Sequence, residues 1–142
     1  MAVKLETEQI RMIALFESLT GAHVLDCVID DEHNRAIFVV KEGQIGLAIG
    51  KKGQNVRRVQ EQLGMDVEVV EHSEDPEKFI RNALFPARVK SVRVTERGNK
   101  KVAIVDVPES ERGRVIGKGG RNIKKARILA RRHHGIDDII VT

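Results

Sequence analysis

The chain has 142 residues, of which 41% are hydrophobic and 32% charged, and its 25 Lys and Arg outweigh its 21 Asp and Glu to give a net charge of +4. This apolar content is sufficient for one ordinary core or two small ones and excludes a disordered polar chain. No apolar run approaches the roughly 20 residues of a membrane-spanning helix, the N-terminus lacks the apolar core of a signal peptide, and the lone Cys27 excludes an internal disulfide.

The first element is helical. Ile10, Ile13, Ala14, Phe16 and Leu19 recur at three- and four-residue steps, and Gly21 supplies a stop. Two β-rich runs follow, residues 23–29 and 35–41, joined by the turn-like Asp30-Asp31-Glu32-His33-Asn34. Cys27 falls within the first run and reads as a buried strand thiol. Next come a short apolar helix, a turn Gly50-Lys51-Lys52-Gly53, a second helix and a strand over residues 66–71.

The same order then repeats. Ser73 or Asp75 caps a helix that has Pro76 at its first position, an apolar face of Phe79, Ile80, Ala83 and Leu84, and an end at Pro86. Strands over residues 87–96 and 100–107 flank a turn at Arg97-Gly98-Asn99. A second turn, Gly117-Lys118-Gly119-Gly120, opens a long helix, and a strand over residues 138–142 closes the chain. All four Phe residues sit in apolar patterns and are expected in the core.

The repeat is also explicit in the letters. GLAIGKKGQNVRR from Gly46 aligns with GRVIGKGGRNIKK from Gly113 at an offset of 67, with identities at both turn glycines, the first turn lysine, the Ile before the turn and the Asn after it. Self-similarity at this spacing marks a duplicated unit, so two domains are expected, residues 1–73 and 74–142, with almost no linker. The copies differ. The helix after the second turn reaches Gly135, about one turn farther than its counterpart reaching Gly64, and Gly119 replaces Lys52.

Charge is unevenly placed. Residues 1–40 hold three basic and seven acidic side chains, whereas residues 113–134 hold eight basic and no acidic ones. A basic run is most often a solvated helix face. Here it adjoins a glycine turn that opens a helix, where free N–H groups and the positive end of the helix dipole favour an anion. A nucleotide-binding P-loop is excluded, because that motif places four residues between its first Gly and Gly-Lys and then requires Ser or Thr. In this chain three residues separate Gly46 from Gly50-Lys51, and Lys52 follows. The adjacent His133 and His134 do not share a helix face, which argues against joint metal ligation. No nucleophile, base and anion site converge, so neither catalysis nor a metal or other cofactor is expected.

The pattern Ile-Gly-x-x-Gly-x-x-Val/Ile between two helices resembles the KH domain, and the element order resembles its type II form. GLAIGKKGQNV, VIGKGGRNIKKA and the join EDPEKFIRNALFPA together resemble the NusA family of transcription factors in its short, archaeal form. The resemblance implies an α+β fold of two tandem type II KH domains, each helix-strand-strand-helix-GxxG-helix-strand with a three-stranded sheet. It implies binding of single-stranded RNA, about four nucleotides per domain. The residues carried over are Gly50, Lys51, Lys52 and Gly53 in one clamp and Gly117, Lys118, Gly119 and Gly120 in the other. Ile49 with Val56, and Ile116 with Ile123, correspond to an apolar floor for bases, with core packing as their alternative role. Arg57, Arg121, Lys124 and Arg127 extend the phosphate-facing surface. The absence of Trp and Tyr disfavours an RNA module that reads bases on sheet aromatics.

The expected function is a non-catalytic, cytoplasmic, monomeric RNA-binding factor in transcription elongation, termination or antitermination, with RNA polymerase or its transcription complex as a further partner. The rivals are a ribosome-associated or RNA-processing KH protein and a KH-fold interaction scaffold that has lost RNA.

Overall fold

The computed structural model describes residues 3–142. Its contacts divide into two compact units, one over residues 4–72 and one from Ser73 to Thr142. Each has the same succession of elements.

In the first unit, helix α1 (Thr7–Thr20) precedes strands β1 (Val24–Asp30) and β2 (Arg35–Val40). Helix α2 (Ile45–Ile49), a single 3₁₀ turn, helix α3 (Gln54–Leu63) and strand β3 (Asp66–Glu71) follow. The sheet order is β1-β2-β3. β1 pairs with β2 antiparallel, so a tight turn suffices between them, whereas β2 pairs with β3 in parallel. A parallel neighbour requires a crossover, and the α2–turn–α3 segment provides it. The glycine turn therefore lies midway through a connection whose two ends are fixed by the sheet.

Burial of the inward-facing residues holds this unit together. Met12 and Phe16 of α1, Cys27 of β1, Ala36, Phe38 and Val40 of β2, Ala48 of α2 and Val59 of α3 form one cluster. Phe16 and Phe38 stack with ring centroids 4.4 Å apart, an arrangement worth about 0.5–1.5 kcal/mol beyond the burial itself. The face of α1 agrees with the expected one at Ile13, Phe16 and Leu19, which pack in or against this cluster, and departs from it at two positions. Ile10 is 54% exposed and Ala14 is also exposed, while Met12, Phe16 and Thr20 turn inward. Thr20 is accommodated because its hydroxyl donates to the Phe16 carbonyl at 2.8 Å.

The first position of β2 holds a fully buried arginine. Arg35 donates through Nε to Asp30 Oδ2 at 2.9 Å and through Nη1 to Glu68 Oε2 at 2.7 Å. Asp30 is also buried and lies 3.0 Å from His33 Nδ1. Arg35 thereby joins the end of β1 to β3 across the central strand, and Asp30 is a structural counter-ion in this network.

In the second unit, helix α4 (Pro76–Leu84) precedes β4 (Ser91–Arg97) and β5 (Lys100–Asp106), then α5 (Arg112–Ile116), a 3₁₀ turn, α6 (Arg121–His134) and β6 (Asp138–Val141). The sheet order is β4-β5-β6, again antiparallel then parallel. Asp75 caps α4 by accepting from the Glu77 N–H at 3.0 Å, with Pro76 at the first helical position. Phe79, Ile80, Ala83 and Leu84 are all fully buried, and α4 packs on α6 and β4.

Two expectations for this unit need correction. β4 begins at Ser91, not Ala87. Pro86 has no N–H, the Ala87 N–H turns back to the Leu84 carbonyl, and the Arg88 N–H donates to Glu111, so these groups do not enter the ladder. Phe85 is not a core residue, being 73% exposed.

Candidate nucleic-acid interface

The two glycine turns have the same backbone. Gly50, Lys52 and Gly53 have φ/ψ of 77/172°, 55/29° and 75/16°, and Gly117, Gly119 and Gly120 have 79/166°, 63/19° and 78/12°. The first glycine of each turn thus adopts a positive-φ, extended-ψ conformation, unlike the left-handed helical Gly21, Gly64 and Gly135 that end the longer helices. The positive-φ, extended-ψ region is essentially restricted to glycine.

A second constraint acts at the same position. A Cβ on Gly50 would lie 2.7 Å from Asn55 Cγ, and one on Gly117 would lie 2.8 Å from both the Cβ and the backbone N of Asn122. The Asn after each turn fills the space that a side chain would need. Asn55 Nδ2 donates to the Leu47 carbonyl at 2.8 Å, tying α3 back to α2. Asn122 Nδ2 donates to the Arg114 carbonyl at 3.1 Å and also to the Leu84 carbonyl at 2.9 Å. The repeat shows this Asn in both copies, but its function as a buckle is apparent only in three dimensions.

At the last glycine of each turn the surroundings leave room for a side chain. A Cβ on Gly53 would meet only side-chain atoms of Arg57 and Val56, at 3.7 and 3.9 Å, and one on Gly120 would meet nothing within 4 Å. Glycine is favoured there by its φ, 75° and 78° in the two copies. Between the glycines, Lys51, Lys52 and Lys118 are exposed. They immediately precede α3 and α6; the first N–H of each helix, on Gln54 and Arg121, donates back to the Lys51 and Lys118 carbonyls, and the N–H groups that follow have no acceptor within their own helix.

The remaining candidate residues divide by exposure. Ile49 and Val56 are half-buried and Ile116 is 38% exposed, but Ile123 is only 5% exposed and packs in the core. Arg57 is exposed and its Nη2 donates to the Lys52 carbonyl at 2.6 Å, bracing the turn. Arg121 and Lys124 are half-buried. Arg127 donates to the Ile139 carbonyl at 3.2 Å and lies 3.4 Å from Asp138, so its guanidinium is engaged with β6. Lys125, counted with the basic surface from sequence, is 4% exposed. The rings of His133 and His134 lie 5.3 and 5.2 Å from Phe79, and His134 Nε2 is 2.9 Å from the Ser73 carbonyl oxygen.

Two family profiles match this arrangement, the KH domain over residues 10–99 and the NusA-like second KH domain over residues 76–138. The chain belongs to the NusA family of KH proteins. It is 43% identical over 141 residues to the probable transcription termination protein NusA of Methanococcus vannielii, covering 99% of this chain and 80% of that one. It is 41% identical to the probable transcription termination protein NusA of Halobacterium salinarum over the full length of both chains. The crystal structure of APE1850 matches 97% of this chain and 100% of its own at 37% identity, with a TM-score of 0.87. The α+β fold of tandem KH domains read from the glycine motifs agrees with these matches. Among the described residues no helix is long and apolar enough to cross a membrane.

Proposed function

We propose that this NusA-family chain is a non-catalytic RNA-binding factor of transcription termination or antitermination, in which residues 1–73 and 74–142 each grip single-stranded RNA. The observation that carries the reading is the pair of turns with a common backbone, each held by a buried or bridging Asn and each presenting exposed lysine at the start of a helix. Such a turn can follow a sugar–phosphate backbone over about four nucleotides. Its glycines keep the ligand path free of side chains, and Lys51, Lys52 and Lys118 supply charge. Phosphate contact of this kind positions the strand without reading its sequence. In this assignment Ile49, Val56 and Ile116 line the base side, and Arg121 and Lys124 extend the phosphate side. The factor acts as a cytoplasmic monomer together with RNA polymerase.

The test is titration of single-stranded RNA at several salt concentrations. The parent chain should show a negative salt slope, and Lys51→Asp with Lys52→Asp should abolish binding once the second turn carries Lys118→Asp, with circular dichroism unchanged. Unaltered affinity in that triple variant would remove the clamp assignment. Parent protein without RNA affinity would instead support a protein-interaction scaffold. Copurification of ribosomal subunits in place of RNA polymerase would move the function to translation or RNA processing.

A further inference from the structure

Phe85 is the aromatic side chain of this protein that faces water. The chain has four Phe and no Trp or Tyr. Phe16, Phe38 and Phe79 are fully buried, whereas Phe85 is 73% exposed. Its position is fixed from both sides. Its own N–H donates back to the Arg81 carbonyl at 3.1 Å at the end of α4. The carbonyl of the preceding residue, Leu84, accepts from Asn122, the same side chain that buckles the second turn and blocks a Cβ on Gly117. Three residues farther on, the Arg88 N–H donates to Glu111 Oε1 at 2.8 Å, just ahead of α5. The segment from Leu84 to Arg88 therefore runs alongside α5, with Phe85 at the glycine-turn end.

The surroundings suit an anionic, aromatic ligand. Arg88, Arg114 and Lys118 are exposed along this segment, α5 and the turn. The adjacent acid, Glu111, already accepts from the Arg88 N–H and pairs with Arg114 at 3.3 Å. The first unit lacks the aromatic. The residue that ends α1 there is Gly21, where a Cβ would meet only Leu47 Cδ2, at 3.9 Å.

Resting on the RNA-binding reading above, we propose that Phe85 is a stacking platform for one nucleobase of single-stranded RNA, next to the nucleotides gripped by the Gly117–Gly120 turn. Every base has a π-face, so such a platform adds affinity with little sequence preference, and only in the second unit. It acts through the base and leaves the phosphate contacts to the lysines.

The absence of Trp makes a direct test available. Phe85→Trp introduces a single indole at an exposed site, so folding is not at risk. Using a chain whose first turn carries Lys51→Asp and Lys52→Asp, single-stranded RNA should quench the indole emission with the same midpoint as anisotropy of labelled RNA. Phe85→Ala in that background should weaken binding by about tenfold, within the roughly 5- to 150-fold expected for loss of one stacked base. Its salt slope should stay unchanged, because no phosphate contact is lost. An oligonucleotide with abasic sites should bind the parent and Phe85→Ala equally. The proposal is overturned if RNA binds, as judged by anisotropy, without quenching and with equal affinity for parent and Phe85→Ala. If the parent chain binds no RNA in any form, the RNA-binding reading fails and this proposal with it.

Discussion

Lys52 and Gly119 occupy the same place in the two turns and exchange opposite costs. Lys52 has a positive φ of 55°, and Gly119 has 63°. An L-residue in the left-handed region is strained by about 1–2 kcal/mol, while a glycine raises the entropy of the unfolded chain by an equivalent of about 0.4–1 kcal/mol. Lys52→Gly should therefore stabilise the protein by about 0.5–1 kcal/mol. The brace from Arg57 should survive, because its acceptor is the backbone carbonyl of residue 52. Gly119→Lys should destabilise by a similar amount. Urea titration followed by circular dichroism measures both, since the chain has no Trp or Tyr to report by fluorescence. RNA affinity should move the other way. If position 52 meets phosphate as proposed, removing its lysine should reduce the magnitude of the salt slope by about 0.7, and adding one at position 119 should raise it by about 0.7. A Lys52→Gly protein less stable than its parent would refute the strain argument. Stability changes of the expected signs with identical salt slopes would show that position 52 does not meet phosphate.

The two buckling asparagines should differ in weight. Asn122→Ala loses two hydrogen bonds and leaves the Leu84 carbonyl beside a buried void, a cost of about 2–3 kcal/mol, whereas Asn55→Ala loses one exposed bond at about 0.5–1 kcal/mol; equal losses in urea titration would show that the Leu84 link contributes nothing. Arg35→Met should destabilise by about 3–5 kcal/mol, because it strands the buried Asp30 carboxylate without its main partner. Adding Asp30→Leu to Arg35→Met should recover much of that loss, and a single-variant loss below about 1 kcal/mol would contradict the buried-pair argument.

Regular structure was legible wherever one signal dominated. β3 has the bounds expected of it, Asp66–Glu71, and α4 buries all four residues of its expected face. α1 was less legible because it carries two overlapping apolar stripes. Periodicity alone does not select Met12 and Thr20 over Ile10 and Ala14 as companions of Ile13, Phe16 and Leu19, and a threonine that satisfies its hydroxyl within the helix passes as polar. Arg35 gave no warning either, since a charged residue at a strand end normally faces water. Its burial depends on Asp30 and on Glu68, which is 33 residues away in sequence. The turns themselves were plain in the repeated letters, but Phe85 was hidden, because an apolar letter at a helix end looks like core until the path of the following chain is known.

The same limit applies to charge, and it bears on how the two turns divide the work of binding. A row of eight basic letters in residues 113–134 suggests eight available cations. In the fold, Lys125 is 4% exposed and lies outside the reach of a phosphate strand. Arg127 and Arg131 pair with Asp138 and Asp137, at 3.4 and 4.0 Å, and Arg114 with Glu111. These three pairs are different in kind from a buried cation. Their arginine side chains are 50–71% exposed, and exposed ion pairs contribute little to stability. Exchange of an Asp for a phosphate at such an arginine therefore costs little, and before exchange the arginines still contribute to a positive field that steers an anionic strand. The first unit has a smaller reserve, Arg57 and Arg58 on α3, but it has two lysines in its turn where the second has one. Under the proposed RNA-binding reading, short-range grip is weighted towards the Gly50–Gly53 turn, and long-range attraction towards the α6 side of the Gly117–Gly120 turn.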